Sequence, residues 1–158
     1  MLSRLEQAQK TWGGSDKAID KWLSERETLL VQYCKLSGLK PFEHVDKLPS
    51  AKELHNFCDE LLDYTSAGHF EMYDKLVGTE QPEGAHLASR VYPQINATTD
   101  VVLNFNDSYG ESPDDSEFQN LEQDLCTLGE ALSQRFELED LLIANLAEQT
   151  KTKDSVSA

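Results

Sequence analysis

The chain has 158 residues, 39% of them hydrophobic, which suits one domain around a single core. No apolar run nears the roughly 20 residues of a membrane-spanning helix. Residues Met1 to Lys10 alternate apolar and polar side chains instead of forming a secretory leader, so a cytoplasmic protein is expected. The net charge of −15 is uneven: the first fifty residues carry eight basic and seven acidic side chains, whereas residues 51–158 carry six and twenty-two. Such a surface repels nucleic-acid phosphates and anionic membranes and suits a basic partner, although solubility alone also accounts for it.

The pattern is helical almost throughout. Ser15 can cap a first helix, along which Ile19, Trp22, Leu23, Leu29, Leu30 and Tyr33 recur at helical spacing. Gly38 and Pro41 punctuate its end, and residues 38–49 read as a loop. Ser50-Ala51-Lys52-Glu53 is a capping box, with Leu54, Phe57 and Leu61 as the apolar stripe behind it. A second stripe of Phe70, Tyr73 and Val77 is offset from the first by about one residue, which predicts a break or bend at Ser66-Ala67-Gly68.

Gly78, Pro82 and Gly84 mark a second loop. Leu87, Val91, Ile95, Thr98, Val102, Phe105 and Tyr109 then define one long helix, with Pro93 expected to kink it or displace its start. Gly110 to Ser116 is an acidic loop. The last helix carries Phe118, Leu121, Leu125, Leu128, Leu132, Leu142 and Leu146 near one seam, joined by Phe136 and Ile143. With no strand alternation or phosphate loop, the expected fold is all-α: an antiparallel up-and-down bundle of four main helices with extra short helical segments. Residues 1–148 form its single domain, and the polar stretch 149–158 reads as a disordered tail.

Catalytic and metal chemistry find little support. A di-iron bundle uses Glu-x-x-His on two helices, and only Glu83-Gly84-Ala85-His86 matches; His44, His55 and His69 lack the preceding Glu. His55 and Cys58 could present two ligands, but structural zinc takes four. Cys34, Cys58 and Cys126 are odd in number and widely spaced, as expected of reduced, mostly buried thiols. No serine sits in a nucleophile elbow. Neither cofactor nor metal is expected, and the chain does not read as an enzyme. Arg135 and Glu139 fall at i and i+4 beside the apolar seam of the last helix, so they must be paired. The pair either fixes the bundle or orders a recognition surface.

Asp63-Tyr64-Thr65-Ser66-Ala67-Gly68-His69-Phe70 combines an acid, two aromatics, a small flexible stretch and a histidine, a surface that suits an arginine-rich partner. With Phe57-Cys58, Gly129-Glu130-Ala131-Leu132, Arg135-Phe136-Glu137-Leu138-Glu139-Asp140 and Gly38-Leu39-Lys40-Pro41, it makes the sequence resemble the Rsd/AlgQ family of sigma-factor regulators. Tyr92 stands where that pattern has tryptophan, and Ser133 where it has an acid. The resemblance implies a helical bundle that binds the C-terminal helix-turn-helix domain of the primary sigma factor, blocking its contacts with core polymerase and promoter DNA. It places partner contacts at Asp63, Ser66 and Phe70, with Tyr64 and His69 as neighbours. It also implies HPr or SpoT as further partners. An adaptor acting mainly on those two, or a metal-binding bundle, are the alternatives.

Overall fold

The computed structural model describes residues 17–37, 50–73, 76, 82–111 and 120–157, and of the side chains in these segments all but those of residues 70, 71, 82, 83 and 147–157. The expected Ser15 cap, the stops at Gly38 and Gly78, loop 38–49, and Val77 and Phe118 lie outside them. Four helices account for most of the described chain: α1 (Lys17–Ser37), α2 (Ala51–Ala67), α3 (Pro82–Tyr109) and α4 (Leu121–Ser157). No strand occurs among the described residues.

Side-chain pairing gives the topology. Between α1 and α2, Gln32 meets Glu60 and Arg26 meets Tyr64. Between α2 and α3, Phe57 packs edge-on against Phe105, and His55 bonds the carbonyl of Gly110 just past the end of α3. Between α3 and α4, Tyr109 reaches Asp124 and Thr98 reaches Arg135. Between α1 and α4, Tyr33 bonds Leu125 and Arg26 bonds Asp140. In every case residue numbers rise on one helix as they fall on the other, so neighbours run antiparallel and the bundle is up-and-down.

The sequence accounts for the boundaries. Ser50, at φ −73° and ψ 157°, accepts a hydrogen bond on Oγ from the Glu53 amide at 3.1 Å, satisfying one of the free donors of α2. Helix α3 starts at Pro82, inside the stretch expected to be a loop, because proline suits a first helical position where its missing N–H costs nothing. Pro93 sits exposed on the outer face of α3 and does not displace that start. Helix α4 runs through the polar stretch from Gln149, which contains neither glycine nor proline.

The expected break at residues 66–68 is instead a π turn, Gly68–Met72, continuous with α2. The Tyr73 amide bonds the carbonyl of Gly68, five residues back, so one additional residue is wound into the helix. That residue is the source of the offset between the two apolar stripes. The core closes around Trp22, Leu23, Leu30, Leu54, Phe57, Leu61, Ile95, Val102, Leu128, Leu132 and Leu142, all 2% exposed or less. All three cysteines are free; Cys34 and Cys58 are buried, and Cys126 is the exception, exposed on α4. Burial, with Asp59 nearby, pushes the Cys58 thiol up to about 12, so it behaves as a small hydrophobe.

Candidate functional site

Inside the bundle, where α1, α2 and α4 meet, lies a polar centre built on Glu139. Its carboxylate is fully buried. Taking such a charge out of water costs several kcal/mol unless donors surround it. Here they do. Oε1 accepts from the Tyr64 hydroxyl at 2.5 Å and from Arg26 Nη2 at 3.3 Å. Oε2 accepts from the Tyr73 hydroxyl at 2.6 Å and lies 3.4 Å from Arg135 Nε.

Arg26, 1% exposed, ties three elements to one another. Its Nε donates to the Tyr64 hydroxyl oxygen at 3.0 Å and its Nη1 to Asp140 Oδ1 at 2.7 Å. Burial alone would disfavour its charge, but the facing Tyr64, Glu139 and Asp140 outweigh that and hold it more firmly protonated than usual. Burial, reinforced by Glu139, keeps the Tyr64 and Tyr73 hydroxyls protonated and therefore donating. Trp22 stacks on Tyr64 with centroids 5.4 Å apart, and Phe136 meets the same ring edge-on at 5.7 Å. Arg135, fully buried, donates through Nη1 to Thr98 Oγ1 at 3.1 Å and Thr99 Oγ1 at 2.9 Å. Among the described residues its Nε and Nη2 find no hydrogen-bond acceptor, so its link to Glu139 is coulombic.

On the outer side of Tyr64, α1 and α2 border an open groove lined by Ser24, Glu25, Thr28, Glu60, Asp63 and Tyr64. Three of these six are carboxylates and none is basic. Partial burial, with Asp63 nearby, raises the Glu60 carboxyl, against a hydrogen bond from Gln32 Nε2 at 3.0 Å that favours the ionised form. A cation entering the groove would relieve that crowding.

The expected site residues therefore separate. Asp63 and Ser66 are exposed on α2. Tyr64 is 1% exposed, so it is a wall between the groove and the Glu139 centre and offers a partner little surface. His69 is half-buried in the π turn, with Nε2 2.9 Å from Thr99 Oγ1. Burial and then the nearby Arg135 lower its pKa, partly opposed by Glu139. Phe70 lies in the π turn, with its side chain outside the described residues. Arg135 and Glu139 are paired within the core.

Sequence reasoning missed Arg26, although the signal was present. Arg26 follows Trp22 by four residues and precedes Leu29 by three, so a cation sits within an apolar stripe. Among the described residues no group of three or more His, Cys, Asp or Glu side chains could hold a metal ion. His55 instead bonds Gly110 O at 2.6 Å and lies 3.4 Å from Asp59, while Cys58 is buried. No helix among the described residues is long and apolar enough to cross a membrane.

The described residues thus form a helical bundle with an internal ionic centre around Glu139 and an open carboxylate groove on its surface. The chain is a member of the Rsd/AlgQ family: the model described as regulator of RNA polymerase sigma(70) subunit, Rsd/AlgQ, matches residues 1–147. A protein of Yersinia enterocolitica (serotype O:8 / biotype 1B) named regulator of sigma D is 42% identical over 154 residues, covering 94% of this chain and 91% of that protein. Proteins of the same name from Yersinia pseudotuberculosis serotype O:1b and Enterobacter sp. strain 638 are each 40% identical, over 94% and 91% of this chain and 90% and 88% of theirs.

Proposed function

We propose that this protein is a cytoplasmic, non-enzymatic anti-sigma factor. It binds the C-terminal DNA-reading domain of the primary sigma factor, blocks that domain's contacts with core polymerase and promoter DNA, and favours alternative sigma factors in stationary phase. The observation that carries this is the carboxylate groove beside Asp63 in a chain whose relatives are named for sigma regulation. A helix-turn-helix that reads DNA must be basic to neutralise phosphates, so an acidic face can take the place of DNA on it. Asp63 pairs with an arginine or lysine of that domain, Ser66 supplies a hydrogen bond, and Phe70 an apolar contact beside them.

Affinity purification of the full chain from growing and stationary cells tests this. Recovery of the primary sigma factor without core polymerase subunits is expected. Recovery of HPr or SpoT in its place would replace sigma binding as the main activity.

A further inference from the structure

We infer that Glu139 is a positioning residue for the partner-binding segment: its one carboxylate receives the hydroxyls of Tyr64 and Tyr73 and thereby holds the π turn between them in register. The inference rests on the proposal that Asp63 to Phe70 meets the sigma domain.

Tyr64 and Tyr73 are nine positions apart. At about 100° per residue, two side chains with that separation on an α-helix point about 180° apart and cannot converge on one group. Winding one extra residue into the turn makes them equivalent to positions eight apart, which brings them to about 80° of each other. The two hydroxyls then reach the two oxygens of a single carboxylate, at 2.5 and 2.6 Å. A slip back to regular α-helix would swing Tyr73 away and strip Oε2 of its hydrogen bond. Glu139 therefore selects the π register over the α register, and every residue beyond Gly68 takes its direction from that choice.

Gly68 fits the same purpose. A Cβ at that position would lie 2.9 Å from the Tyr73 hydroxyl and 3.0 Å from its Cζ, so the absence of a side chain is what lets Tyr73 fold back over the turn. Asp63 and Ser66 precede the turn and Phe70 lies in it. The spatial relation between the charged contact and the aromatic one is thus set by the turn and not by a continuous helix.

Glu139→Gln would leave two buried arginines poorly compensated and could unfold the chain, so the decisive comparison uses tyrosines. Tyr73→Phe removes one hydroxyl from Glu139 and keeps the ring. Tyr109→Phe is the control: its hydroxyl also donates to a carboxylate at 2.6 Å, that of Asp124, between α3 and α4 near the other end of the bundle. Both variants should melt earlier than the parent. Only Tyr73→Phe should speed amide hydrogen exchange at residues 68–73, by about tenfold, as expected for losing one hydrogen bond to a charged group, and quicken sigma-domain dissociation to a similar degree. Unchanged exchange at residues 68–73, or equal effects of both variants there, would overturn the positioning role. If the parent chain itself fails to bind the sigma domain, the proposed function falls, while the exchange comparison still decides whether Glu139 sets the turn.

Discussion

Gly129 lies in the middle of α4, where alanine should ordinarily gain about 1 kcal/mol of helix propensity. The packing here reverses that gain. A Cβ on Gly129 would overlap the Tyr33 hydroxyl and come within 2.8 Å of its Cζ. Tyr33 cannot easily retreat, since it is 5% exposed, packs on Phe57 and donates to the Leu125 carbonyl at 2.8 Å. Gly129→Ala therefore forces the ring outward. Overpacking of this kind costs about 1–3 kcal/mol. The displaced hydroxyl forfeits a hydrogen bond worth about 0.5–1.5 kcal/mol. Set against the propensity gain, the net loss should be about 1–3 kcal/mol. At about 2–4 °C per kcal/mol for a chain of this size, the melting temperature should fall by about 2–12 °C. Thermal unfolding followed by circular dichroism measures this directly. Tyr33→Phe should relieve only part of the damage, because Cζ remains too close, so the double variant should lose less than the sum of the two single losses. A Gly129→Ala protein that melts at or above the parent temperature would show that α1 and α4 do not approach as closely as described.

Glu139→Gln should cost about 3–5 kcal/mol, because it removes the charge that neutralises buried Arg26 and Arg135; a melting temperature within a degree of the parent would contradict the central role of that carboxylate. His69, with its folded pKa below the ordinary 6.5, resists protonation longer than the unfolded chain does. Its contribution to stability is therefore present above pH 6.5 and is lost as pH falls through the folded value, and His69→Gln should abolish that part of the pH dependence. An NMR titration of the imidazole with a midpoint at or above 6.5 would be inconsistent with this. Ser50→Ala should destabilise by about 1 kcal/mol through loss of the cap on the Glu53 amide, and amide exchange at the start of α2 should rise more than elsewhere.

Much of the bundle was legible because helical periodicity is a local signal. The stripes of Ile19 to Tyr33, Leu54 to Leu61 and Val91 to Tyr109 fall in the core as spacing requires. The capping box at Ser50 marked the start of α2 because it is built from neighbouring residues. The one-residue offset near Gly68 was also visible, but its form was not: an extra residue can be accommodated by a break, a bend or a π turn, and the choice depends on Tyr73 meeting Glu139 from another helix. Arg135 and Glu139 could be recognised as a pair from their i, i+4 spacing. The convergence of Arg26, Tyr64 and Tyr73 on that pair could not, because those contacts to Glu139 span 66 to 113 residues of sequence. Tyr64 shows the same limit in the site itself: its place in a surface-like segment suggested exposure, and tertiary packing turned its ring inward. Cys126 is the opposite case, a residue of typically buried type left on the outer face of α4.

The most direct test of sigma binding is a titration of the full chain against the isolated C-terminal domain of the primary sigma factor, with the parent and Asp63→Asn compared at low and physiological salt. Asp63 is exposed, so the substitution should leave the melting temperature within about a degree. Affinity should fall by about 2–5 kcal/mol if the carboxylate is desolvated against a basic side chain. Parent binding should weaken as salt rises, chiefly through slower association, as screening over about 8 Å reduces steering toward the acidic face. Absence of complex formation by the folded parent chain, or equal affinity of parent and Asp63→Asn at both salt concentrations, would contradict sigma binding through this groove.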